Sequence, residues 1–184
     1  KEFWDRGQEY SVQYYDLFYT FKEVSNYSKL DSLGRFEIKV PLINSTEVFM
    51  DWKHTYVNTV LEPGETYYLL YDFKSGHSIF MGKKCRLQNE LLAHPIPMIN
   101  ADYAGKDENK VPAQEMMQIL ESRYKEAEGN LRKQIEKSAS ISRCYREYAA
   151  QYLLCFYASD ILQGAYSVKD HIFPQEYVSQ VEKI

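Results

Sequence analysis

Apolar and polar positions alternate at period two through the first half of the chain, and a spacing of three and four takes over in the second half. The run Phe36-Glu-Ile-Lys-Val-Pro-Leu42 sets Phe36, Ile38, Val40 and Leu42 against Glu37, Lys39 and Pro41, which predicts a strand with one face on a core. Pro41 cannot donate to a ladder, so this strand belongs at an edge or ends there. Glu9–Phe21 is rich in Tyr, Phe and Val, residues that suit a pleated, half-buried surface. Val48–Trp52, Tyr56–Leu61, Thr66–Phe73 and Ser78–Met81 read as further short strands. Asp31-Ser-Leu-Gly34 is a turn with Asp at its start and Gly at its end. Pro63-Gly64 suits a type II turn and predicts a hairpin joining Tyr56–Leu61 to Thr66–Phe73. Short strands at this spacing predict a small antiparallel β-sandwich or barrel.

The character changes after Cys85. Leu87–Ala93 reads as a short helix that Pro95 and Pro97 end. Residues 98–111 form a polar connector. Pro112 and Glu115 suit the start of a long helix, in which Met117, Leu120, Tyr124, Ala127, Leu131 and Ile135 share one face. Ser138–Ser140 is a break. Ile141, Tyr145, Tyr148, Tyr152, Cys155, Ser159 and Leu162 then mark a second long helix, with Ser142 as cap and Gly164 as stop. Phe173-Pro174 opens a third, shorter helix through Val181. The two long helices, joined by a short break, predict an antiparallel hairpin. The expected architecture is α+β: a β domain over 1–86, then a helical region over 87–184.

Composition narrows the function classes. Lys plus Arg total 22 and Asp plus Glu total 26, and the charge divides evenly about Pro95, with 11 basic and 13 acidic groups on each side. No basic stripe offers a footprint for nucleic acid or an anionic membrane surface. No apolar run reaches the roughly 18 residues of a transmembrane helix, so no membrane insertion is expected. The compositional oddity is tyrosine, with 17 residues.

Candidate chemistry is sparse. The cysteines Cys85, Cys144 and Cys155 contain no CxxC. Cys144 and Cys155 lie eleven apart on one helix, nearly on the same face but about 16 Å apart along the axis, too far for a disulfide within the chain. They read as small buried residues in a helical seam. Cys85 lies among Lys83, Lys84 and Arg86, and nearby cations favour a thiolate, so it is the candidate reactive thiol. His54, His77, His94 and His171 show no metal-ligand spacing, and no metal or cofactor is expected. An enzyme site built on His54 or His94 with nearby acids has no spacing to support it. Trp4, Tyr10, Tyr14, Tyr15 and Tyr19 gather near the first strand and are the candidate interface.

Three stretches carry a family resemblance: DSLGRFEIKVPL at 31–42, LEPGETYYLLYDF at 61–73 and FMGKKCRLQNELL at 80–92. They resemble the N-terminal region of the thioredoxin-like thiol-disulfide oxidoreductases (TlpA/ResA type) of Bacteroidetes cell envelopes. The matching positions are Asp31, Gly34 and Phe36, then Pro63, Gly64 and Glu65, then Asn89, Glu90 and Leu91. The resemblance implies a small all-β domain, a helical segment and a thioredoxin domain further on. The family's redox CxxC is missing here, so no catalytic residue carries over. What carries over is an envelope location and a non-catalytic accessory role: positioning a downstream redox domain or contacting its client. The surplus of Tyr and Trp leaves a second reading open, a carbohydrate- or peptide-binding β-sandwich.

Overall fold

The computed structural model describes residues 9–16, 22–52, 55–72, 74–99 and 112–167, with residues 175, 178, 179 and 182 besides. Among the described residues the fold is α+β, with six antiparallel strands in two sheets and then helices. The described strands do not close into a barrel. Two compact units divide the chain, Lys1–Pro95 and Ile96–Ile184. The short helix after Cys85 therefore belongs with the strands it packs on, not with the helical region. The third short helix expected over Phe173–Val181 lies almost wholly outside the described residues.

In the first unit, β1 (Glu9–Asp16), β2 (Lys22–Lys29), β3 (Thr46–Trp52) and β4 (Thr55–Leu61) form one sheet in the order β2-β1-β3-β4. β5 (Tyr68–Asp72) and β6 (His77–Met81) form a separate hairpin. Tyr10, Val12 and Tyr14 of β1 turn inward with Val48, Met50 and Val57, and Phe80 of β6 joins the same core. Leu69 and Tyr71 of β5 pack against it. The two sheets thus share one apolar layer, as a sandwich does.

Three local expectations change. β2 does not follow from alternation, because Lys22–Lys29 is mostly polar; its full-length pairing with β1 makes it a strand. The turn at Pro63-Gly64 forms, with the Glu65 N–H reaching the Glu62 carbonyl at 3.4 Å and Gly64 at φ +73°. However, β4 and β5 leave it into different sheets, so the predicted hairpin across it does not exist. The run Phe36–Leu42 keeps its alternation, with Phe36, Ile38, Val40 and Leu42 against the core, yet it joins neither sheet. Alternating burial shows that the chain is extended; pairing needs a second strand, and Pro41 lacks the donor. The turn before this run is held by Asp31, whose carboxylate accepts from the N–H groups of Leu33 and Arg35, each at 2.8 Å. These bonds hold the Asp31 carboxyl below its ordinary range, the Arg35 N–H first.

α1 (Arg86–Ala93) links the sheets. The Asn89 side chain accepts from Phe80 N–H and donates to Phe80 C=O, both at 2.8 Å. One amide therefore copies a strand neighbour and occupies that edge of β6. The preceding residue, Gln88, is fully buried, and its Nε2 donates to Val60 O of β4 at 2.6 Å.

The second unit holds α2 (Ala113–Lys137) and α3 (Arg143–Ser167). Gln134 Nε2 donates to the Tyr145 hydroxyl at 3.0 Å, and the rings of Tyr124 and Tyr157 stack with centroids 4.7 Å apart. Early residues of one helix meet late residues of the other, so the hairpin is antiparallel as expected. Ser142 caps α3 through its hydroxyl, which accepts from Tyr145 N–H at 3.1 Å. Gly164 does not stop the helix, which runs on to Ser167.

The buried face of α2 comprises Met116, Leu120, Ala127 and Leu131, close to expectation. That of α3 differs: Tyr145, Ala149, Leu153, Tyr157 and Ile161 are buried in strict steps of four, continuing from Ile141 just before the helix. Cys144, Cys155 and Leu162 are exposed instead. α3 is apolar on more than one side, so spacing alone offers several stripes, and packing on α2 selects one.

Leu120→Ala or Leu131→Ala should cost about 2–5 kcal/mol through a cavity. Cys155→Ala, on the other stripe, should stay within about 0.5 kcal/mol of the parent. Chemical denaturation of the three variants checks the assignment, and a reversed ranking refutes it.

Candidate interaction surface

Strand geometry divides the expected tyrosine cluster. Tyr10 and Tyr14 are core residues, not surface, because they share the inward parity of β1. The Tyr10 ring stacks on Phe36 with centroids 6.1 Å apart. Tyr15 has the opposite parity and is 54% exposed. Trp4 and Tyr19 lie outside the described residues, as does His54. Register then supplies a residue that sequence reading missed. Tyr27 of β2 pairs with Ser11, on the face that Tyr15 shares, and is 61% exposed. Gln13 and Ser25 pair between them, and Phe49 of β3 lies across from Gln13.

The same face carries Glu47, whose Oε1 accepts from Asn58 Nδ2 at 2.7 Å. Burial pushes the Glu47 carboxyl above its ordinary value, and the Asn58 bond opposes that only partly.

The outer side of the β5–β6 hairpin is a second surface. Tyr68 pairs with Met81 and Leu70 with Ile79, and all four side chains are exposed. Period two puts them on one face, opposite Leu69 and Phe80. The sequence signal is an apolar residue at every position of Tyr67-Tyr68-Leu69-Leu70-Tyr71 and of Ile79-Phe80-Met81. A strand apolar on both sides is covered on both sides or displays one. The hairpin turn is itself braced: Asp72 accepts from Ser75 Oγ at 2.5 Å and from Lys74 N–H at 2.9 Å.

Cys85 sits where α1 begins, half-buried, with its Sγ against the core and 3.1 Å from Gly82 O. Two of the neighbouring cations have other partners. Lys84 Nζ lies 2.9 Å from both Glu62 and Glu65, and these carboxylates hold its ammonium above the ordinary lysine range. Arg86 pairs with Glu90 at 3.2 Å. Lys84 and Arg86 therefore serve ion pairs on the turn and on α1. His94 ends α1, with its N–H on Glu90 O, and His77 opens β6. Among the described residues no group of three His, Cys, Asp or Glu side chains is arranged to hold a metal ion. Nor is any described helix long and apolar enough to cross a membrane.

Comparison with protein-family models, with curated proteins and with solved structures finds no match.

Glu47 supplies a pH test. Its folded-state pKa is raised, so its contribution is intact below the ordinary glutamate value and is lost as pH rises through the raised one. Glu47→Gln should therefore gain on the parent between pH 4 and pH 7. Urea midpoints of both proteins at both pH values check this, and an advantage that stays constant contradicts it.

Proposed function

We propose that the chain is a non-catalytic interaction region, acting as the accessory front part of an envelope thioredoxin-like thiol-disulfide oxidoreductase. Its task is to position a downstream redox domain or that domain's client. The observation that carries the reading is the outer face of the β5–β6 hairpin, where Tyr68, Leu70, Ile79 and Met81 are exposed together. Contiguous apolar surface on a firm sheet suits protein contact, since covering it releases water at about 25 cal/mol per Å². The hairpin is held by its own core contacts and by Asn89, so a partner meets a surface already formed. The ordered motifs at 31–42, 61–73 and 80–92 supply the family context. Lack of any CxxC supports a role without turnover of its own.

A carbohydrate- or peptide-binding reading draws on the other sheet face, where exposed Tyr15 and Tyr27 flank Gln13 and Ser25. Rings at that spacing, with amide and hydroxyl groups between them, suit stacking on sugar faces. Glycan-array binding that Tyr15→Ala and Tyr27→Ala abolish would favour it over the first.

The accessory reading predicts no insulin reduction by this chain above the dithiothreitol background, for the parent and for Cys85→Ser alike. Robust turnover that depends on Cys85 overturns it. It also predicts a CxxC encoded about 40–80 residues beyond Ile184. Supplied separately, the domain bearing that motif should bind the parent chain. The double variant Leu70→Asp, Ile79→Asp should bind it at least about tenfold more weakly, read by calorimetry.

A further inference from the structure

α3 carries a second stripe apart from the row it buries. Cys144, Tyr148, Gln151, Cys155, Ala158 and Leu162 follow one another in steps of four, three, four, three and four. That is the heptad spacing of a helix seam, whereas the buried row of α3 steps by four throughout. Cys144, Gln151, Cys155 and Leu162 are exposed, and Tyr148 and Ala158 are half-buried. No charged residue occupies the stripe. Two exposed cysteines on one such stripe are unusual, because free cysteine is among the residues most often buried. Gln151 Nε2 lies 3.4 Å from the Cys155 sulfur.

The order of steps fixes a partner. From Cys144 to Cys155 the steps read four, three, four, the same in both directions. A second α3 running the opposite way, centred between Ala149 and Ala150, therefore meets the first layer by layer from Cys144 to Cys155. Cys144 faces Cys155 of the second copy, Tyr148 faces its Gln151, and the two-fold axis repeats both contacts. The two cysteines are within about 20° of each other around the helix, so both pairs close on one side. Within one chain they are about 16 Å apart along the axis and cannot join.

We propose that α3 is a redox-controlled dimerisation seam, closed by two symmetric disulfides between Cys144 of one copy and Cys155 of the other. The oxidant is a low-molecular-weight disulfide. The Cys144 thiolate attacks it, forming a mixed disulfide and releasing one thiolate. The Cys155 thiolate of the second copy attacks the mixed disulfide, forming the interchain bond and releasing the second thiolate. The two protons from the protein thiols go to the released thiolates, and each interchain bond reduces one molecule of oxidant. The self-matching stretch from Cys144 to Cys155 spans about 16 Å by about 10 Å, roughly a fifth of the ~800 Å² that each partner contributes to a standard interface. The covalent bonds are therefore what hold the pair, and reduction returns single chains.

The test treats the 184-residue chain with oxidised glutathione, blocks thiols, and reads mass by light scattering and non-reducing gels. The parent and Cys85→Ser should double in mass, and dithiothreitol should reverse it. Cys144→Ser alone and Cys155→Ser alone should each stay single. An equimolar mixture of those two variants should restore a covalent pair, because one keeps Cys155 and the other Cys144. A parent that stays single or is only glutathionylated overturns the proposal. So does a covalent dimer from either single variant, a mixture that fails to pair, or a dimer that needs Cys85.

Discussion

Two adjacent amides on α1 hold the first unit together. Gln88 reaches the backbone of β4, and Asn89 takes both backbone groups of Phe80 on β6. The four-stranded sheet and the two-stranded hairpin share no ladder, so they depend on the common core and on this link. A two-stranded hairpin is marginal by itself in water. Losing a partner for a buried backbone group costs about 1–3 kcal/mol. The pair is also local in sequence, only a few residues after β6. β6 and α1 therefore form one βα corner, and Cys85 fills the space beneath it rather than standing free.

This corner explains which surfaces the unit displays. With Phe80 and Leu69 turned inward, period two turns Tyr68, Leu70, Ile79 and Met81 outward. With Tyr10, Val12 and Tyr14 inward, Tyr15 turns outward and meets the face of Tyr27. The tyrosine surplus thus has two uses. Part of it fills the core, and in the second unit Tyr145 and Tyr157 fill the helix seam. Of the others described, Tyr15, Tyr27 and Tyr68 lie on the two open sheet faces, and Tyr148 lies on the second stripe of α3.

Much of the fold was legible in the sequence, for definable reasons. Turn chemistry at Asp31 and Pro63-Gly64 is local, so it could be read directly. The two long helices and the Ser142 cap followed from spacing and capping, which are local too. Pairing is not local. The sequence gives no sign that β4 and β5 part company, or that polar β2 joins β1, because hydrogen bonds between distant segments leave no mark on either strand alone. Where a segment is apolar on both sides, as in β5, β6 and α3, the pattern does not choose a face. That is why the hairpin's outer face, and the exposure of Cys144 and Cys155, emerged only from the fold. Of the candidate interface residues, strand parity turns Tyr10 and Tyr14 inward and leaves Tyr15 exposed, while Trp4 and Tyr19 lie outside the described residues.

The central claim is that the β unit closes only with α1, so its boundary lies at Pro95 and not at residue 86. Thermal unfolding of two fragments tests this directly, with residues 1–95 compared with residues 1–86. The account predicts one cooperative transition with tyrosine near-ultraviolet dichroism for 1–95, and neither for 1–86. Equal melting of the two fragments would contradict it.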